Sequence, residues 1–176
     1  MLTDGVIQLV TISELHLDGL ATLGQDFLVQ RNTRVPDPWP DGFEREWLAA
    51  IARGREEGTR ESFAILDDMG TFLGLVGLVS IEADEQQAEI GYILVAEARG
   101  RGIATRALRL ISDYAFSHHG LQRLQLLITS DNEPSMGVAK RCGYRREGIA
   151  RSLYLKPGRR ADMVVYSMLP GDRRTS

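Results

Sequence analysis

A strand, a turn of two glycines and two arginines, and an amphipathic helix follow one another between Glu89 and Phe116, and the rest of the chain has to be arranged around them. The strand Glu89-Ile90-Gly91-Tyr92-Ile93-Leu94-Val95 is β-branched and aromatic, as a mostly buried strand should be. Beyond the turn, Ile103, Ala104, Ala107, Leu108, Ile111, Tyr114 and Ala115 recur at three- and four-residue spacings and make one apolar face. Arg99, Arg101, Arg106 and Arg109 fall outside it. Between them, Arg99-Gly100-Arg101-Gly102-Ile103-Ala104-Thr105 occupies the point where a helix presents unpaired N–H groups and the positive end of its dipole. Glycines let the backbone approach an anion closely, and guanidinium groups add charge-assisted hydrogen bonds. The stretch therefore reads as a phosphate pocket, with a plain glycine turn before a solvated basic helix as the alternative.

Two familiar phosphate motifs do not fit. A Walker-type loop needs Gly-Lys-Ser/Thr, which is absent, and the chain has only two lysines, Lys140 and Lys156. A dinucleotide fingerprint would want a third glycine where Thr105 stands and an acidic residue at the end of the next strand, within a long parallel sheet. The next strand, residues 123–129, runs instead into Ser130-Asp131.

The 176 residues, 43% of them hydrophobic, suffice for one well-cored domain and are short for two. We expect that domain over residues 1–170 and a frayed polar tail over 171–176. A formal charge of −3 argues against nucleic-acid binding by bulk electrostatics. The excess of arginine over lysine fits a GC-rich bacterial genome. A single cysteine, Cys142, excludes an internal disulfide and fits a reducing cytoplasm. Neither a membrane span nor a secretory leader is expected, since no apolar run approaches ~18 residues and Met1-Leu2-Thr3-Asp4 lacks a basic region before an apolar core.

In chain order, residues 6–12 predict a strand, and Ser13 a cap for a short helix over 14–23. Residues 31–42, with Pro36, Pro38, Pro40 and Trp39, predict an irregular connector. That connector reads either as a stiff surface link or as a lid presenting Trp39 to substrate. Residues 43–57 predict a helix with Trp47, Leu48 and Ile51 inward; residues 62–66 and 72–81 predict a hairpin around Asp67-Asp68-Met69-Gly70. The hairpin leads by a charged turn into the Glu89 strand. After the central helix come a strand at 123–129, a turn at 130–135, a short helix at 136–141, and strands at 144–154 and 161–169. This order predicts an α/β sheet of mixed direction with helices on both faces.

The order and the glycine turn together resemble the GCN5-related N-acetyltransferase (GNAT) superfamily. Its pattern Arg/Gln-x-x-Gly-x-Gly/Ala appears here as Arg99-Gly100-Arg101-Gly102-Ile103-Ala104. A second block, Asn132-Glu133-Pro134-Ser135 followed by Val138 to Tyr144 and by Glu147-Gly148, is similar to the RimJ/RimL branch, as is the final strand from Asp162 to Leu169. The resemblance implies the GNAT fold, with a mostly antiparallel central sheet of about seven strands, and acetyl-CoA as co-substrate without a metal. It implies transfer of the acetyl group to a primary amine, either a protein N-terminus or a small molecule, by direct attack in a ternary complex.

By the same resemblance, residues 99–105 hold the pyrophosphate of acetyl-CoA and Asn132 its pantetheine arm. Glu89 is the candidate base. Leu94 or Val95 supplies a backbone N–H to the thioester oxygen. Ser135 is the candidate acid for the thiolate, with Tyr144 as the alternative. Asn132 and Ser135 equally suit a helix start, with Pro134 in its first turn. Trp39, Glu89 and Tyr154 are the candidate acceptor contacts. His118 and His119 close a helix and lack acidic or cysteine partners for a metal site, and Cys142 reads as a packed thiol rather than a nucleophile. A bulkier donor such as succinyl-CoA would want a further cation, for which Arg31, Arg34 or Arg151 is available; a non-catalytic acyl-CoA sensor is the reading from another class. A homodimer is compatible with the sequence, though no apolar stripe singles out an interface. Nucleic-acid and membrane partners are not expected.

Overall fold

In the computed structural model, residues 1–174 are described, apart from the side chains of Tyr154, Arg173 and Arg174. The strands are β1 (Leu2–Thr3), β2 (Ile7–Thr11), β3 (Glu61–Asp67), β4 (Phe72–Glu82), β5 (Gln87–Leu94), β6 (Arg123–Thr129), β7 (Arg145–Lys156) and β8 (Arg159–Met168). They form one eight-stranded sheet in the order β1-β2-β3-β4-β5-β6-β8-β7. Only β5 and β6 run parallel; every other neighbouring pair is antiparallel. The expected GNAT fold is therefore observed, with one strand more than expected. The addition is β1, two residues long, held by Asp4 Oδ1 accepting the Val6 and Ile7 N–H groups at 3.0 Å each. No periodicity can announce so short an element.

The helices are α1 (Leu17–Gln25), α2 (Phe27–Asn32), α3 (Phe43–Glu56), α4 (Ile103–His118) and α5 (Glu133–Arg141). They cover both faces of the sheet. Tyr114 of α4 meets Phe63 of β3 edge-on at 5.5 Å, while the adjacent Ser62 points to the opposite face, where Ile51 of α3 lies. The periodicity of α4 is realised in full: Ala107, Leu108, Ile111 and Ala115 are completely buried.

Four expectations need correction. The helix expected from residue 14 splits into a 3-10 turn, Glu14–His16, and α1. The connector begins later than expected, because Arg31 and Asn32 belong to α2, whose start is capped by Asp26 accepting the Val29 N–H at 3.0 Å. The helix expected at 136 starts at Glu133, so Ser135 is helical. The tail is held at its beginning, since Pro170–Arg174 form a 3-10 turn whose Asp172 pairs with Arg145 at 2.8 Å; residues 175 and 176 of that expected tail lie outside the described residues.

Trp39 is half-buried rather than displayed. Its indole meets Phe43 and Trp47 edge-on, at 5.2 and 5.7 Å, and covers Gly24 of α1. A Cβ at Gly24 would come within 2.3 Å of that indole. Gly24→Ala should therefore destabilise the protein by ~1–3 kcal/mol through overpacking, despite alanine's better helix propensity. A urea titration checks this; an unchanged midpoint would show that Trp39 is not wedged there.

The feature that positions the site lies at the centre of the sheet. Residue pairing between β5 and β6 covers only Gln87↔Arg123, Ala88↔Leu124 and Glu89↔Gln125, and then stops. At the same level, β4 carries a bulge at Val79, where the register with β5 passes from Leu78↔Ile90 to Ser80↔Glu89. A bulge bends its strand and increases local twist. The remaining residues of β5 and β6 diverge and open a wedge within the sheet.

Candidate active site

The wedge is the mouth of a cavity of about 1240 Å³. Its walls are Ile90–Leu94 of β5 and Leu126–Thr129 of β6, and residues of α2, of the hairpin of β7 and β8 and of the first turn of α4 complete the lining.

At the α4 end, Gly100 and Gly102 have φ of +73° and +78°, values that favour glycine. Gly102 is the N-cap of α4 and provides no side-chain cap, and Gly100, Gly102, Ile103, Ala104 and Thr105 all line the cavity. The first-turn N–H groups and the dipole of a 16-residue helix are thus offered to the cavity. Arg141 joins them: its Nε donates to Thr105 Oγ1 at 3.4 Å and its guanidinium also lines the cavity. Sequence reasoning did not give Arg141 this place, which depends on α5 packing beside α4.

The two arginines of the turn differ. Arg99 lines the cavity but is already engaged, with Asp26 at 2.7 Å and the Leu94 carbonyl at 2.9 Å. Burial works to raise the Asp26 carboxyl, but the Arg99 bond and the cap it gives α2 prevail and hold it below the usual carboxylate range. Arg101 is exposed outside the cavity.

Of Leu94 and Val95, only Leu94 lines the cavity. The Val95 N–H is taken by the Leu73 carbonyl at 3.1 Å, and alternation along a strand turns the Leu94 N–H the other way, toward the wedge. Asn132 caps α5 by accepting the Ser135 N–H at 3.2 Å; its NH₂ group has no partner among the described residues. Both residues face the cavity.

Ser135 Oγ lies 2.7 Å from the hydroxyl of Tyr92, a residue of β5 that also lines the cavity. Burial pushes the Tyr92 hydroxyl up to about 12, against the hydrogen bond from Ser135, so it stays protonated. Tyr92 was read only as a strand former; alternation of faces, counted from Glu89, would not have singled it out. Tyr144, the alternative acid, is buried and does not line the cavity. Its hydroxyl lies 2.8 Å from that of Ser112 on α4. The Cys142 thiol donates to the Thr105 carbonyl at 3.4 Å and is pushed up to about 11 by burial, which suits packing and not nucleophilic attack.

Glu89 sits at the root of the wedge, lines the cavity and takes no hydrogen bond from any described residue. Burial pushes its carboxyl above the ordinary range; the charge of Arg34 opposes that and Glu82 adds to it. The raised value makes the carboxylate a stronger base than an ordinary glutamate. Trp39 does not line the cavity, and the side chain of Tyr154 lies outside the described residues.

Four side-chain bonds carry α2 and its exit across the cavity. Arg31 pairs with Asp131 at 2.5 Å, Thr129 donates to Asn32 Oδ1 at 2.9 Å, and the buried ammonium of Lys156 donates to the carbonyls of Gln30 and Val35. No helix of the described residues is long and apolar enough to cross a membrane.

Residues 7–145 match the family model of the acetyltransferase (GNAT) domain. Over 160 residues, covering 90% of this chain and 84% of the relative, the sequence is 31% identical to the putative ribosomal N-acetyltransferase YdaF of Bacillus subtilis (strain 168). Two solved structures share the fold. RimL, a ribosomal L7/L12 alpha-N-protein acetyltransferase in complex with coenzyme A, gives a TM-score of 0.85 at 21% identity over 96% of this chain and 98% of that one. Spermidine N-acetyltransferase from Vibrio cholerae, in complex with CoA and spermine, gives 0.85 at 19% identity over 98% and 100%.

Proposed function

The chain belongs to the GNAT acetyltransferase family and is an acyl-CoA-dependent acetyltransferase, and from that premise we propose that it passes an acetyl group from acetyl-CoA to the primary amine of a protein N-terminus or a small molecule, in one ternary complex. One observation carries the reading: a single wedge runs from the uncapped first turn of α4 to the unpaired carboxylate of Glu89. Acetyl-CoA is held by its diphosphate on the N–H groups of residues 102–105 with Arg141, and its pantetheine arm runs along β5 past the Asn132 amide. The carbonyl oxygen takes the Leu94 N–H, which stabilises the charge that develops there. Glu89 accepts the proton of the attacking ammonium, directly or through a water. The amine adds to the thioester carbon, and the adduct collapses with cleavage of the C–S bond. The sulfur takes a proton from Ser135, hydrogen-bonded to Tyr92, while the nitrogen gives up its second proton to water, from which Ser135 is reprotonated.

Ser135→Ala is expected to lower kcat about 10- to 100-fold at pH 7 with little change in the Kd for acetyl-CoA. Because a thiol titrates near 8.5, that loss should shrink as pH rises past ~8.5, where the thiolate leaves unprotonated. Tyr92→Phe should lose less and show the same pH trend. Steady-state rates between pH 6.5 and 9.5 check both; a pH-independent loss would remove Ser135 from the role of acid.

The reading is tested by thiol release from acetyl-CoA against N-terminal peptides, polyamines, aminoglycosides and amino acids, with calorimetry of acetyl-CoA alongside. Release with one class establishes the transferase. Binding without release on any amine favours a sensor, and failure to bind overturns the reading. Arg34 in the cavity wall favours one second reading, a donor with a terminal carboxylate such as succinyl-CoA; relative turnover of the two donors decides it.

A further inference from the structure

The cavity as a whole has an uneven charge balance. Five arginines and two carboxylates line the cavity: Arg31, Arg34, Arg60, Arg99 and Arg141, with Glu89 and Asp131. Three of the arginines are spoken for: Arg31 by Asp131, Arg99 by Asp26, and Arg141 at the α4 turn. Arg34 and Arg60 have no hydrogen-bond or ion-pair partner among the described residues and line the same cavity as Glu89; Arg60 also lines a cleft between α3 and β4. Arg60 precedes β3 on the face that carries Ser62, Gly77, Val79 and Glu89, and its Cβ lies against Gly54 of α3, which leaves no room for a larger residue there. Arg34 stands in the exit of α2, close enough to Glu89 for its charge to act on that carboxyl. Glu82 lies outside the cavity, bonded to Gln87, and Asp37 acts on Lys156.

Two unpaired guanidinium groups in the cavity that also holds the unpaired carboxylate of Glu89 suit a particular kind of amine. We propose that the acceptor carries a carboxylate close to its reacting amine, as an acidic amino acid or a peptide with an acidic first residue does, and that Arg34 and Arg60 bind that carboxylate while Glu89 takes the ammonium proton. The planar fork of arginine matches a carboxylate through paired N–H donors, and two forks near a partly desolvated cleft favour it over a neutral isostere. A polyamine brings further positive charges to the same two arginines and is discriminated against by repulsion. This rests on the acetyl transfer proposed above and concerns the acceptor alone.

The experiment measures thiol release from acetyl-CoA by the full chain on peptides identical except for Glu or Gln as first residue, on the α-amides of glutamate and glutamine, which differ only in the side-chain carboxylate, and on spermidine. A kcat/KM for the Glu peptide about ten-fold or more above that for the Gln peptide is expected, with spermidine the poorest. The two amino-acid amides distinguish a small-molecule acceptor from a peptide one by the same preference. Arg34→Gln and Arg60→Gln should raise KM for the acidic acceptor about ten-fold more than for the neutral one, with kcat and the acetyl-CoA Kd less affected, and Arg34→Glu should move the preference toward spermidine. Equal activity on Glu and Gln acceptors, preference for spermidine in the wild type, or an Arg34 effect that appears only with succinyl-CoA as donor would each overturn the proposal. Release on neutral or polycationic amines would leave the transferase standing while this inference fails; binding of acetyl-CoA with no release on any amine would overturn both.

Discussion

Replacing Glu89 with glutamine is expected to cost kcat/KM on the order of 10²- to 10³-fold for a lysine-like acceptor and roughly ten-fold or less for an α-amine. The difference follows from the acceptor's own pKa. An α-amine near 8 is about a quarter neutral at pH 7.5, whereas a lysine-like amine near 10.4 lies about three units away, a deficit of ~4 kcal/mol that a base must offset. Stability should move the other way. The Glu89 carboxyl is raised in the folded state, first by burial, so its favourable contribution is present below the unfolded pKa and is lost as pH rises through the folded one. At neutral pH the ionised side chain therefore opposes folding, and Glu89→Gln should melt no lower than wild type. The acid limb of kcat/KM should likewise lie above the ordinary glutamate value and move higher still in Arg34→Ala, because Arg34 holds that pKa down. Rates on both acceptor classes, with thermal melts, check this; equal and small losses on the two would remove Glu89 from the role of base.

Gly102→Asp should keep the fold and abolish useful acetyl-CoA affinity. Aspartate tolerates the left-handed conformation that Gly102 adopts, and no atom stands within 4 Å of its Cβ position. Its carboxylate would bring a negative charge beside the N–H groups proposed to hold the diphosphate. Two like charges ~4 Å apart at an effective dielectric of 20 cost ~4 kcal/mol, on the order of 10³-fold in Kd, relieved in part by salt. Calorimetry with acetyl-CoA at low and high salt is the measurement, with circular dichroism to confirm the helix. Wild-type affinity in this variant would place the diphosphate elsewhere.

Local pattern made much of the fold legible, and the resemblance carried by two motifs supplied the candidate roles. Strand β6 spans residues 123–129 as read, because a short apolar run between turn residues leaves little freedom, and α4 shows in its spacing alone. Helix α2 did not show: six residues carry no period, and what holds it comes from Thr129, Asp131 and Lys156, about a hundred positions away in sequence. The same limit explains the aromatic residues. Trp39 in a proline-rich loop reads as exposed because its cover, Gly24, belongs to another element. Tyr92 and Tyr144 are equivalent as letters; which of them meets the cavity depends on β5 parting from β6 and on Ser112 waiting under α4. The glycine turn identified the binding region, whereas the use of Arg99 as a strut to Asp26 and the freedom of Arg34 and Arg60 are decided by tertiary partners.

The three residue pairs that join β5 to β6 also have a mechanical meaning. The sheet is two plates on a short seam, β1 to β5 on one side and β6, β8 and β7 on the other, with the bonds of α2 as stays across the gap. Parting the plates breaks few sheet hydrogen bonds, so what resists it is the apolar core under the seam, where Leu124 and Leu126 of β6 are buried in the same cluster as Ile90 of β5 and Leu108 and Ile111 of α4. A molecule that touches both walls of the wedge adds to that resistance as a clamp does, because its binding free energy is lost when the plates part.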